Sequence, residues 1–329
     1  MTQDFLPIDA LPRLLEALAP FGKIHGPVLS DDGVTMFGPI PSAADVRLGY
    51  RRTLLPPKKY LLPSRETILT YSPDAGYRQP APAANDTVLF GLHPCDLAGI
   101  AYLDKVFLTT EPDPLYRSRR ERLTLVGLSC EPDDSCFCAE VGAAAPAHFD
   151  LFLDRTEAGF RITGGSARGE EILGRITPLL MEGEEEPPQS LRTCTVEGAI
   201  MAAAGRGETF PGSPLWDDFA SRCLSCGACS LCCPTCYCFD VREQGCLDGA
   251  TAVRLREWDN CLFREHGEVA GGFNFRKSRR ERFLYRYQHK YLGFGPTRGI
   301  VACVGCGRCR EVCPVRIDLL ELFGEEDNG

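Results

Sequence analysis

What this sequence lacks narrows its chemistry before any motif is read. It has no G-x-G-x-x-G and no G-x4-G-K-[ST], so neither a dinucleotide-binding turn nor a phosphate-gripping P-loop is indicated. No H-E-x-x-H occurs, and the five histidines are scattered without a pair at ligand spacing. No run reaches the ~18 consecutive apolar residues of a membrane helix. Net positive charge is lacking too. The formal charge of −9 argues against a general nucleic-acid binder, because phosphate attraction needs a basic face. The first residues, MTQDFLPIDALPRLLEALAPFG, carry an early acid, no basic n-region and prolines at Pro7 and Pro12. They read as a short amphipathic helix from about Asp9 and not as a signal peptide, so the expected location is the cytoplasm.

Cysteine is abundant instead, with eighteen in 329 residues. On a chain of this length, without a secretion signal and in metal-ligand spacings, such thiols read as ligands rather than bridges. Cys223, Cys226, Cys229 and Cys233-Pro234 fit C-x2-C-x2-C-x3-C-P, and Cys303, Cys306, Cys309 and Cys313-Pro314 fit it again. Two copies form the two-cluster ferredoxin signature. Three thiolates on a tight turn cap one face of a cubane, and the fourth cysteine, three residues further on, reaches the other cluster. Cys223, Cys226, Cys229 and Cys313 are therefore assigned to one [4Fe–4S], and Cys303, Cys306, Cys309 and Cys233 to a second. Zinc knuckles are the alternative, but they show paired Cys-x2-Cys without the trailing Cys-Pro. The insert at 239–302 is too long for a compact βαββαβ ferredoxin. VREQGCLDGATAVRLREW and VRIDLLELFG, which follow the two boxes, read as helical, so residues 186–329 are expected to form an all-helical dicluster domain.

Residues 1–185 read as an α/β domain. TVLFGL (87–92), the helical HPCDLAGIAYLDKVF and LTLVGLS (123–129) make a strand–helix–strand unit, which implies parallel strands and a right-handed crossover. Both strand C-termini then open onto one edge of the sheet. Cys95 follows the first strand, while Cys130, Cys136 and Cys138 follow the second in CEPDDSCFC. Topology thus gathers four thiols, the number a third [4Fe–4S] needs; the alternatives are a structural zinc or four unrelated thiols. FDLFLDRTEAGFRIT reads as a hairpin, and GGSARGEEILGRITPLL as a Gly-rich loop entering a helix. EGEEEPPQS (182–190) is the expected linker, and LRTCTVEGAIMAAAG a helix with Cys194 as a buried thiol.

Together GLHPCDLAGI, CEPDDSCFC, PPKKYLLPSRE (56–66), CLSCGACSLCCPTCYCFD and WDNC (258–261) resemble one family. It is the iron–sulfur β subunit of cytoplasmic [NiFe] sulfhydrogenases, which is similar to an iron–sulfur subunit of anaerobic sulfite reductase. The resemblance runs over nearly the whole chain. It implies a non-catalytic electron-transfer chain between a flavoprotein subunit that handles NAD(P)H and a terminal catalytic subunit. That terminal subunit is a hydrogenase first, with a sulfite reductase as the alternative. No catalytic residues are expected in this chain. Two readings from other classes are weaker: a self-contained flavin reductase, opposed by the missing fingerprint, and an iron–sulfur nucleic-acid binder, opposed by net charge.

Cys194, Cys232, Cys236, Cys238, Cys246 and Cys261 are left over. Cys232 is expected to pack beside a cubane. Cys236, Cys238 and Cys261, with one more ligand, could hold a fourth metal site; the simpler reading is thiols that shield the clusters from water. The basic FRKSRRERFLYRYQHKY (275–291) lies between the two boxes. That position favours compensation of cluster charge, about −2 for a four-thiolate cubane, or a docking face for an acidic partner, over nucleic acid. Two prolines before Lys58 and Lys59 suggest an extended, stiff loop, either solvated or in contact with the flavoprotein partner.

Overall fold

A computed structural model describes residues 3–80, 85–139, 141–183, 214–247, 249–291 and 302–322. Most of the linker expected at 182–190, and the helix expected to carry Cys194, lie outside the described residues. In chain order the first half runs β1 (Gln3–Pro7), α1 (Leu11–Leu18), β2 (Lys23–Leu29), β3 (Thr35–Pro39), β4 (Arg65–Ser72), β5 (Gly76–Arg78) and β6 (Thr87–Leu92). It continues through α2 (Pro94–Leu108), α3 (Pro114–Glu121), β7 (Leu123–Leu128), β8 (Leu151–Arg155), β9 (Gly159–Gly164), α4 (Ala167–Ile176) and β10 (Met181–Gly183). The second half contributes α5 (Leu215–Arg222), α6 (Ala228–Leu231), β11 (Phe239–Gly245), β12 (Ala252–Trp258), α7 (Arg279–Tyr291) and α8 (Arg308–Glu311).

β6 and β7 are apolar almost throughout because they run through the middle of a sheet covered on both faces. The sheet has eight strands in the order β10-β1-β9-β8-β7-β6-β2-β3. β2, β6, β7 and β8 are parallel, and the outer pairs are antiparallel. Side chains alternate between the faces, as a period of two requires. Val88, Phe90, Val126 and Leu128 pack with Leu14 and Leu18 of α1 and Ile172 and Ile176 of α4. Leu89, Leu92 and Leu125 pack with Leu97, Ile100 and Leu103 of α2. β6 and β7 pair in parallel register from Thr87 and Leu123 onward, so their C-terminal ends do share one edge. The expected hairpin at 149–163 is β8–β9, paired antiparallel. Ser166 caps α4 by accepting from Gly169 N–H at 3.1 Å, so the Gly-rich loop there is a helix start.

The all-helical expectation for the second half is overturned. Residues 241–258, read as helix, belong to the β11–β12 hairpin, which joins β4 and β5 in an antiparallel sheet of order β11-β12-β4-β5. The runs FDVREQG and AVRLREW carry Phe, Val and Trp on either side of an Asp-Gly pair in the sequence, a turn signal, and Gly249 has φ +67°. After the second box the chain forms a single 3-10 turn, Leu319–Leu322, in place of the expected helix. Among the described residues no helix is long and apolar enough to cross a membrane.

The hairpin is fastened to the first half by buried charge. Arg256 of β12 meets Glu66 of β4 at 2.5 Å and Asp113, the N-cap of α3, also at 2.5 Å. Arg119 of α3 reaches the other oxygen of Glu66 at 2.5 Å. Trp258 Nε1 donates to Leu62 O at 3.0 Å. Arg256→Met removes one partner from each of two carboxylates, and breaking a buried pair from one side costs about 3 kcal/mol. The apparent melting temperature should fall by several degrees, and proteolysis should begin within 239–258. Arg254→Met, which removes an exposed pair with Glu243, should change little.

Candidate metal centres

The two cysteine boxes have the same backbone shape. Ser225 and Gly227 of the first have φ of +53° and +78°, and Gly305 and Gly307 of the second have +60° and +73°. Each box then enters a four-residue helix, α6 or α8. The left-handed residues curl the chain so that backbone donors face sulfur. Ser225 N–H lies 3.4 Å from Cys223 Sγ, Gly305 N–H 3.5 Å from Cys303 Sγ, and Ile317 N–H 3.4 Å from Cys313 Sγ. Hydrogen bonds to sulfur stabilise the thiolate and are one means of setting a cluster's potential.

Cys223, Cys226, Cys229 and Cys313 line one cavity together with Cys309, walled by Leu262, Phe283, Tyr287 and Ile317. Three of these cysteines come from the first box and two from the second. Cys303, Cys306, Cys309 and Cys233, expected as the other crossed set, lie within electrostatic reach of one another. Burial holds the proton on Cys309, and the thiols of Cys303, Cys306 and Cys233 add to it. Burial likewise raises Cys303 to about 11, with Cys233 and Cys306 contributing and Lys290 opposing.

The four thiols of the βαβ edge also meet. A hydrogen bond to Cys136, burial, and the nearby Cys95 and Cys130 all push the Cys138 pKa up. The same hydrogen bond pulls Cys136 down to about 6. Burial, with Cys136 adding, raises Cys130 to about 12. Cys95 sits in the first turn of α2, where Pro94 sets the entry angle of the helix. Its thiol is close enough to Cys306 to interact with it, so this third set adjoins the second. Cys229 and Cys233 interact in turn, so the second set adjoins the first. Among the described residues no three His, Cys, Asp or Glu side chains close tightly enough to hold a single metal ion. A cubane binds each thiolate to a different iron and is served by wider spacing.

The second box grips the loop of the third set. Phe137 N–H donates to Gly305 O at 2.7 Å. A Cβ on Gly305 would sit 2.3 Å from Phe137 O, and one on Gly307 2.5 Å from Ser135 O. Arg308 is buried, lies 3.0 Å from Asp96 of α2 and donates from Nε to Thr53 O at 2.9 Å. None of these contacts was read from the sequence, because each joins residues remote along the chain.

The basic stretch is largely α7, and Arg282, Arg286 and Lys290 form its inward face at four-residue spacing. Arg286 donates to Cys229 O at 2.8 Å and lies 3.3 Å from Cys236 Sγ. Lys290 donates to Thr235 Oγ1 at 2.6 Å. Lys58 is buried as well, donating to Cys236 O at 3.0 Å and Ser230 O at 3.3 Å, with Nζ 4.5 Å from the Trp258 ring centre. The extended, solvated PPKK loop is thus corrected: Pro57–Tyr60 is a 3-10 turn that drives Lys58 into the interior. Of the remaining cysteines, Cys246 is exposed, whereas Cys232 is buried beside Cys229 O at 3.7 Å.

Residues 222–317 match a family described as a 4Fe-4S dicluster domain. Over 330 aligned residues the chain is 35% identical to sulfhydrogenase 2 subunit beta of Pyrococcus furiosus, covering 98% of this chain and 97% of that protein. The chain belongs to the sulfhydrogenase β-subunit family. It is therefore an iron–sulfur protein, and its dicluster domain implies two [4Fe–4S] clusters and electron transfer. No solved structure matches it. In this family member the tight approach at Gly305 is open to test. Gly305→Ala forces a methyl group into a carbonyl and should lower bound iron by roughly four to eight atoms per chain, reflecting the second and third sets. Gly174→Ala, with nothing within 4 Å of the added carbon, should keep its iron.

Proposed function

We propose that this chain is the electron-relay subunit of an oxidoreductase complex and holds three [4Fe–4S] clusters. Cys223, Cys226, Cys229 and Cys313 hold the first, Cys303, Cys306, Cys309 and Cys233 the second, and Cys95, Cys130, Cys136 and Cys138 the third. The observation that carries this reading is contiguity. The third set lies within electrostatic reach of the second through Cys95 and Cys306, and the second within reach of the first through Cys233 and Cys229. Both ends of the row reach the surface. Cys130 opens into a cleft lined by Tyr50, Arg51, Asp133 and Arg155, and Cys226 is exposed. A row of sites with a buried middle and two accessible ends suits a wire between two partners.

Bound in these sets, the clusters supply one-electron redox chemistry. The chain's own residues exclude water, direct backbone N–H groups at sulfur, and hold Arg286 and Lys290 where they favour the ionised thiols. The partners inferred are a flavoprotein subunit that handles NAD(P)H and a terminal catalytic subunit. A [NiFe] hydrogenase is favoured by the sulfhydrogenase relative, and an anaerobic sulfite reductase is the second reading.

The three sets account for roughly twelve iron atoms per chain, four for each cubane. In anaerobically purified protein, Cys95→Ala and Cys138→Ser should each remove about four and one set of EPR signals. The signals of the two boxes should survive. Unchanged iron in both variants would show that the βαβ edge binds no cluster. The isolated chain should also carry no stoichiometric flavin and should not oxidise NAD(P)H. Robust NAD(P)H oxidation by the chain alone would sink the relay reading.

A further inference from the structure

Three cysteines that the relay does not use lie together in the interior. Cys236 and Cys238 flank Tyr237 just beyond the second-set ligand Cys233, and Cys261 closes the loop after β12. Asp259 N–H donates to Cys238 O at 3.0 Å and draws the two segments side by side. The Cys238 and Cys261 thiols are hydrogen-bonded to each other. The loop under Cys261 is fixed by Asn260, which is fully buried. Its amide donates to Gly227 O at 2.8 Å, and its Oδ1 accepts from Leu262 N–H at 3.0 Å. Such support is what holds a ligand set in place before its metal arrives.

The surrounding charge is a second, separate observation. Lys58, Arg286 and Lys290 are all buried, and Cys236 is a neighbour that acts on every one of them. Among the described residues none of the three has a carboxylate partner, and Arg286 Nε is buried with no hydrogen-bond acceptor at all. Cys229 and Cys233 of the relay sets act most on Arg286 and Lys290, whereas the thiol that acts most on Lys58 is Cys236, which the relay does not use. Cys261 sits in the same field. Arg286, His266 and Lys290 are all within electrostatic reach of it.

We propose that Cys236, Cys238 and Cys261 hold a further iron–sulfur cluster through three thiolates, lodged between the first and second sets. Its neighbours on the two sides are Cys229, which interacts with Cys261, and Cys233, which is hydrogen-bonded to Cys236. A cluster suits these thiols better than zinc, because no three of them close on a single ion. Lys58 then has a resident anion beside it, and three of the six leftover cysteines have a task.

The test uses the full chain, purified anaerobically and reconstituted with ferrous iron and sulfide. Wild type should hold about three or four iron atoms beyond the roughly twelve of the relay sets. Cys238→Ser and Cys261→Ser should each lose that increment and one EPR or Mössbauer component while the relay signals persist. Cys246→Ser, at an exposed position outside every set, should lose nothing. Equal iron in wild type and both variants overturns the proposal. If the two serine variants fail to fold, the iron released from wild type by Cys95→Ala decides. Loss of about four atoms with twelve retained supports the extra site, and eight retained overturns it. An absent third cluster would instead leave Cys95→Ala without effect. The wild-type total, about eleven or twelve with the extra site against eight without it, then settles the proposal.

Discussion

Thiolates gathered in a dry interior need positive charge close by, and much of the second half is arranged around that need. Burying a cation is itself costly unless something answers it. Arg286 and Lys290 meet thiols and carbonyl oxygens, and Lys58 meets the carbonyls of Ser230 and Cys236. Arg308 is the exception, balanced by Asp96 at 3.0 Å. Each cation therefore does two things at once. It favours the ionised state of cysteines that burial would keep protonated, and it ties segments that are far apart in sequence. α7, polar by composition, buries Arg282, Arg286 and Lys290 for this reason, beside Phe283, Tyr287 and Tyr291, which join a hydrophobic cluster.

The site chemistry was more legible than the architecture. Box spacing is dictated by the shape of a cubane, so the two boxes could be found from sequence alone, and cysteines of both, Cys223, Cys226, Cys229, Cys309 and Cys313, line one cavity. The strands β6 and β7 were legible because a buried parallel strand is a short apolar run and α2 between them has helical spacing. That reading placed Cys95 and Cys130 at one edge. The β11–β12 hairpin was not seen, because its charged residues fit a solvated helix as well as a strand. What selects the strand is β4, a partner far upstream that local periodicity cannot register. The Asp-Gly pair was the available clue. Lys58 was read as solvated or partner-facing, not buried, for the same reason: its acceptors lie 172 and 178 residues away.

Gly305 and Asp96 show how closely the third set is bound to the other two. The glycine admits the carbonyl of Phe137, and the aspartate receives Arg308 from the helix after the second box. The loop bearing Cys136 and Cys138 is thus shaped against the same turn that carries Cys303 and Cys306. Neither the edge of the main sheet nor the second box completes this corner by itself.

The second sheet imposes an order on how the protein comes into being. β4 and β5 leave the ribosome long before β12, and an isolated two-stranded hairpin is marginal in water. Until residue 258 has emerged, Glu66 lacks Arg256, and Lys58 has neither Trp258 nor the Cys236 carbonyl to settle against. The early half is thus born with an open strand edge and an unplaced buried cation. The machinery that delivers iron and sulfide therefore meets a nearly complete chain, and loading its centres is a late step of maturation rather than one that accompanies synthesis.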